Sequence, residues 1–277
     1  MSAATHAPFC KFESEWHAKG ISSLDATSSR TEATVTTRRR RLPPSLPLFV
    51  GLCTVVIAIK LLFAFYPGDF PIKQQAEAFG WPMIAMLIAI GLAGLFADRA
   101  LGLPEPLTDR RREWRGVIWS VLTGFAYGVV TVIIDVIRQP RHVLSTGAAW
   151  DHVAWPWSVP FYLFGAIFLE FLLRLGALCI LFWFVHVVVL RRRWRTVVFW
   201  IVAAVVALYE IMPFIQRDIA EKHWDRVALS LLQPLYLSNV FEGWLLWRFG
   251  WLMPIVFRLA FYLVWHVLYG GLARPSA

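Results

Sequence analysis

Charge is what this chain has least of. Only 16% of its 277 residues are Asp, Glu, Lys or Arg, while 58% are hydrophobic. An average soluble domain has about 25% charged residues and 45–50% apolar ones. The apolar residues gather into long runs instead of recurring at helical spacing. That pattern argues against an ordinary soluble helical domain and predicts an all-α polytopic membrane protein. Cysteine is also scarce. Cys10 lies in a polar segment and Cys53 and Cys179 inside apolar runs, with no C-x-x-C spacing, so neither a disulfide framework nor a thiolate metal site is expected. H-E-x-x-H, P-loop and G-x-S-x-G motifs are absent from the sequence. The two histidines expected in membrane, His186 and His266, are too far apart in sequence to suggest a metal site, and no cofactor is implied.

The formal net charge of +9 raises the possibility of nucleic-acid binding, but the positive charge sits at the boundaries of the apolar runs. Arginines cluster at 38–41, 110–112 and 191–193. Flanking basic residues of this kind orient membrane proteins, and nucleic acid is set aside as a partner. Trp81, Trp114, Trp155, Trp157 and Trp251 lie near run ends, as an interfacial aromatic belt requires.

Residues 1–42 are polar, rich in Ser, Thr and Ala, and close on four arginines. They lack the apolar core of a secretory signal, and Glu13, Glu15, Asp25 and Glu32 count against an organelle transit peptide. The segment reads as a disordered, basic cytoplasmic tail, able to touch anionic lipid. Residues 43–277 read as a helical membrane domain without internal repeat or linker.

At about 20 residues per crossing, roughly seven spans are predicted, over 45–65, 81–96, 116–137, 157–190, 196–215, 227–247 and 251–270. With the N-terminus inside, the cytoplasmic segments collect the arginines of 38–41, 110–115 and 191–195 together with Arg248. The outer segments hold a thinner set, Lys73, Arg138, Arg141, Arg217, Lys222, Arg226 and Arg274. The expected arrangement is therefore N-in and C-out, in a plasma (bacterial inner) membrane. The fourth run, about 34 residues or on the order of 51 Å as one helix, exceeds the hydrocarbon thickness. It must tilt, project or break, and Gly165 and Gly176 are the candidate weak points.

Ionisable residues inside apolar runs are costly and mark sites or buried pairs. Glu170 and Arg174 lie four apart in the fourth run, on one helix face. They form either a self-neutralising pair that locks the bundle or a carboxylate set in a dry cavity for general-base chemistry. His186 follows in the same run, near the basic cluster at 191–193. Glu210 sits late in the fifth run, and Asn239 and Glu242 in the sixth. Arg258, Tyr262 and His266 recur at i, i+4 and i+8 in the seventh, forming one face. They make either a polar seam between helices or the wall of a cavity shared with Glu170. Asp135 and Lys60 are lone charges near run ends, Lys60 placed to snorkel. Gly124 and Gly128 form a GxxxG packing signal.

The segment LEFLLRLGAL resembles the E-E-x-x-x-R motif of the CPBP family, the CAAX prenyl protease and bacteriocin-processing intramembrane proteases. The last segment, SNVFEGWLLWRFGWLMPIVFRLAFYLVWHVLYG, is similar to the family's N-x-x-x-G-x-L-x-W-R-x-G run and the helix after it, through Asn239, Gly243, Leu245, Trp247, Arg248, Gly250 and His266. The resemblance covers about 157–270 and implies a CPBP-protease-like helical bundle. It also implies which groups are missing. The family's general base falls on Leu169, with Glu170 and Arg174 matching only the second Glu and the Arg. The Phe and His of the second motif fall on Ala207 and Ile211, and the His and Asn/Asp of the third on Arg258 and Tyr262. Phe182 and His186 match F-x-x-x-H literally but follow the first motif too closely.

Leucine and isoleucine cannot take a proton, and arginine stays protonated. The expectation is a binding or regulatory pseudoenzyme whose cavity receives a membrane protein or a prenylated or lipidated peptide. Arg258 would enter the site as a second counter-charge to Glu170. The alternative is an active CAAX-type endopeptidase with a rearranged site using Glu170, Arg174 and Glu210, with His186 as a possible helper. A transporter is a third class, but no broken helix pair supports it.

Overall fold

The computed structural model describes residues 42–65, 80–138, 153, 155–220 and 234–270. Except for Leu42, the expected tail over 1–42 lies outside the described residues. Those residues form helices and no strand. In chain order the helices are α1 (Leu46–Ala64), α2 (Trp81–Leu101), α3 (Arg110–Arg138), α4 (Ser158–Val189), α5 (Arg195–Ala220), α6 (Pro234–Phe249) and α7 (Leu252–Gly270). Six of them, all but α6, are long and apolar enough to cross a membrane. The span predicted at 227–247 is described only from Pro234, as a helix of 16 residues. At 1.5 Å per residue that is about 24 Å, short of the hydrocarbon core.

Local chemistry sets the helix ends. Pro47 and Pro82 lie in the first turns of α1 and α2, where a missing N–H costs nothing. Gly102 ends α2 in the left-handed conformation, its N–H donating to Arg99 and that of Leu103 to Asp98. Asp109 caps α3, its Oδ1 accepting the Arg111 and Arg112 N–H groups at 3.1 and 3.2 Å. Gly250 (φ 99°) makes the corner between α6 and α7, and a Cβ there would lie 2.2 Å from the Pro104 carbonyl oxygen.

The overlong fourth run neither breaks at Gly165 nor stops at Gly176. It remains one 32-residue helix. Instead it widens to i→i+5 hydrogen bonding over Phe171–Leu178 and again over Phe184–Val189. Such π-helical turns are uncommon and gather at functional sites. The first contains Arg174.

Glycine contacts set the closest helix crossings. A Cβ on Gly94 of α2 would lie 1.8 Å from the Leu175 carbonyl oxygen of α4, and one on Gly176 2.4 Å from Ile90 of α2. The GxxxG of α3 faces α7. Cβ atoms at Gly124 and Gly128 would lie 2.5 Å from Phe257 O and 2.7 Å from Val264 Cβ. Small residues let helix backbones approach where dispersion, not water, drives packing. Aromatics fill the remaining space. Phe171 stacks on Phe49 at 4.9 Å, and Phe199 packs against Phe182 at 5.3 Å and Trp247 at 4.5 Å. Large apolar side chains along α3, including Ile118, Leu122, Val129, Ile133 and Ile137, face outward, as a lipid-facing surface would.

Candidate functional site: a buried cluster of carboxylates and guanidiniums

α4, α5, α6 and α7 each send polar side chains to one point in the bundle. Glu170, Arg174, Asn239, Glu242 and Arg258 are between 1% and 3% exposed. The Glu210 side chain, at 10%, closes one edge. Arg258 is at the centre. Its Nε donates to Glu170 Oε1 at 2.5 Å, its Nη1 lies 3.0 Å from Glu210 Oε1, and its Nη2 donates to Glu242 Oε2 at 2.8 Å. One planar guanidinium thus joins three helices to a fourth, using the fork geometry that a lysine lacks.

Arg174 is the second cation. Its Nη2 donates to both Glu242 Oε2 and Asn239 Oδ1. Its Nε stays 3.8 Å from Glu170 Oε2, so the i,i+4 contact expected from the sequence is the longer of its ion pairs. The pair is present but not closed on itself. Each member takes its shorter ion pair from another helix. Asn239 acts as the adaptor. Its Oδ1 also accepts from Arg258 at 3.3 Å, while its Nδ2 donates to Glu210 Oε2 and to the Leu235 carbonyl at 2.8 Å.

Three carboxyl groups (Glu170, Glu210, Glu242) face two guanidiniums (Arg174, Arg258), so the fully ionised cluster carries one excess negative charge. Isolated charges would cost several kcal/mol each to bury. Mutual pairing offsets that cost only while every partner is present. The arrangement is therefore a lock with poor access: Glu170 is 1% exposed, its Oε1 accepts from Arg258, and its Oε2, which accepts no hydrogen bond among the described residues, lies 3.8 Å from Arg174 Nε, whereas a general base needs a water beside its free lone pair.

The remaining site candidates extend or lie outside this cluster. The Arg258 guanidinium carbon lies 6.0 Å from the Tyr262 ring centroid. Tyr262 meets Tyr162 edge-on at 5.7 Å, and His266 stacks on Tyr162 at 3.9 Å. The i, i+4, i+8 face of α7 thus runs from the charges into an aromatic layer, which holds His266. His186 sits apart, stacked on Phe182, with its Nδ1 3.1 Å from the Arg193 carbonyl oxygen. Ala207 and Ile211 are fully buried, and Leu169 packs against the apolar core. Among the described residues no group of three or more His, Cys, Asp or Glu could hold a metal ion.

One polar feature read differently in the sequence, and one was not read there at all. Asp135 is not alone: its Oδ2 accepts from Trp265 Nε1 at 2.6 Å, tying α3 to α7. Asp98 on α2 is fully buried and neither carboxyl oxygen has a hydrogen-bond partner. Asp98 lies two residues past the predicted 81–96 span, and the only signal for it is an aspartate at the end of an apolar run.

Comparison with protein-family models, with curated proteins and with solved structures finds no match to this chain.

Proposed function

We propose that this chain is a non-catalytic membrane protein built like the CPBP intramembrane proteases, a seven-helix bundle with its N-terminus in the cytoplasm and its home in the plasma (bacterial inner) membrane. Its role is binding or regulation, through a membrane-protein helix or a prenylated or lipidated peptide held without cleavage. The observation that carries this reading is the position of Arg258. A permanent cation stands where the resemblance expects a histidine, and it occupies Glu170, Glu210 and Glu242 together. With Leu169 in place of the general base, no residue is left to activate water in the family's way.

The second reading, hydrolysis by a Glu170–Glu210 pair, draws on both carboxylates meeting the same guanidinium. Purified protein incubated with prenylated CAAX peptides and with membrane-helix substrates separates the two. No turnover, with Glu170→Gln acting on thermal stability alone, is the expected result. Turnover that disappears in Glu170→Gln while the fold survives would establish the enzyme instead.

A further inference from the structure

The α2–α3 loop and the α6–α7 corner enclose a second polar feature, a cleft of about 270 Å³ lined by Asp109, Arg111, Arg112, Arg115, Arg248 and Phe249. Four guanidinium groups from two helices face one carboxylate there, and that carboxylate is already engaged in capping α3. Arg112 is pinned as a wall, its Nη2 donating to the Glu105 carbonyl at 2.9 Å and to Thr108 Oγ1 at 2.8 Å. Arg111, Arg115 and Arg248 have no ion-pair partner among the described residues.

The walls are held by close contacts. Gly250 rests on the Pro104 carbonyl, and a Cβ at Gly116 would lie 2.9 Å from Met253 Sδ and 3.0 Å from Phe249 Cβ. The loop, the start of α3 and the corner before α7 are thus already in van der Waals contact. The cleft stands at the head of an apolar surface. Trp114, Ile118, Trp119 and Leu122, between 47% and 63% exposed, follow it along α3. Clustered arginines at the end of a membrane helix match phosphate in charge and in bidentate geometry.

We infer that this cleft binds the headgroup phosphate of an anionic phospholipid, whose acyl chains lie along α3. The continuous apolar surface below the arginines favours a lipid over a soluble phosphate compound. The excess positive charge of the cleft favours an anionic lipid over a zwitterionic one.

The test uses the full chain in neutral detergent, with phosphatidylglycerol, phosphatidylcholine and inorganic phosphate as probes and bound lipid counted by native mass spectrometry. Arg111→Gln/Arg115→Gln/Arg248→Gln is compared with Arg191→Gln/Arg192→Gln/Arg193→Gln, which removes the same charge from another loop. Phosphatidylglycerol is expected to bind the unaltered chain and the 191–193 variant alike, and the cleft variant on the order of a hundredfold more weakly. Phosphatidylcholine should not be retained, and inorganic phosphate should not displace the lipid. Equal retention by both triple variants overturns the proposal, as does displacement by inorganic phosphate. If the triple cleft variant fails to fold, Arg115→Gln alone is expected to weaken binding by roughly fivefold, and unchanged binding overturns the proposal.

Discussion

Arg258 of α7 donates its Nε to Oε1 of Glu170 in α4, across a sequence separation of 88 residues, with both side chains almost completely buried. This contact joins the last helix to the longest one. Its neighbours on Glu210 and Glu242 make the same guanidinium the shared counter-ion of α4, α5 and α6.

Removing that guanidinium while keeping its bulk should be the most damaging single change in the bundle. Arg258→Met leaves three carboxylates with only Arg174 between them. A loss of about 3–5 kcal/mol is expected, as for a buried pair deprived of one partner. Arg258→Lys should recover only part of it, because one ammonium cannot reach all three acceptors. Thermal melting in detergent checks the order. If Met melts like the unaltered chain, the cluster does not hold the bundle.

Glu170 and Arg258 should also be coupled. In a double-mutant cycle with Glu170→Gln and Arg258→Met, the double variant is expected to be more stable than the sum of the single losses, by roughly 0.5–3 kcal/mol. Strict additivity would show that the two side chains do not interact in the folded protein.

The helix crossings make a sharper steric test. Gly94→Ala places a Cβ where the Leu175 carbonyl now sits, and displacement of α2 should cost about 1–3 kcal/mol or more. A Cβ at Gly51 of α1 meets nothing within 4 Å. Gly51→Ala should therefore leave stability unchanged or raise it by up to about 1 kcal/mol. Similar melting temperatures for the two variants would contradict the α2–α4 crossing.

Asp98 should behave in the opposite sense to the cluster. A fully buried carboxyl with no hydrogen-bond partner carries its desolvation cost uncompensated. Asp98→Ala is expected to raise stability by about 1–3 kcal/mol, less the small cavity it leaves. A fall on unfolding assay would reveal that this carboxyl holds a group on which the fold depends.

The N-in orientation proposed from the arginine distribution is open to labelling. In a Cys10→Ser background, Cys53 and Cys179 are buried. A membrane-impermeant maleimide should then reach Trp155→Cys in intact cells but Arg192→Cys only after lysis, both positions being exposed. The reverse pattern would turn the protein over in its membrane.

Much of this molecule is legible in its sequence because membrane helices advertise themselves. Apolar runs of about 20 residues have few other uses, and each charge inside one is costly enough to flag itself. Glu170, Arg174, Glu210, Glu242 and Arg258 all stand out on that ground, Asn239 enters only through its place in the N-x-x-x-G run, and the GxxxG of α3 marks the face that meets α7. Asp98 and Asp135 were harder to place. Both lie near run ends, where a charged residue is ordinarily solvated. Nothing local distinguishes the buried Asp98 from such a residue or points to Trp265 as the partner of Asp135.

What the sequence by itself determined is the six long apolar helices and, Asp98 excepted, the charges buried among them, since both follow from the cost of putting polar groups into hydrocarbon. What only the tertiary structure decided is who pairs with whom. Glu170 and Arg174 share a helix face, yet each takes a shorter ion pair from α6 or α7. A long, forked side chain chooses the acceptor with the best distance and angle. Those depend on how four helices cross, on the glycines that let them approach, and on the widened turn that carries Arg174, none of which spacing along one helix can supply.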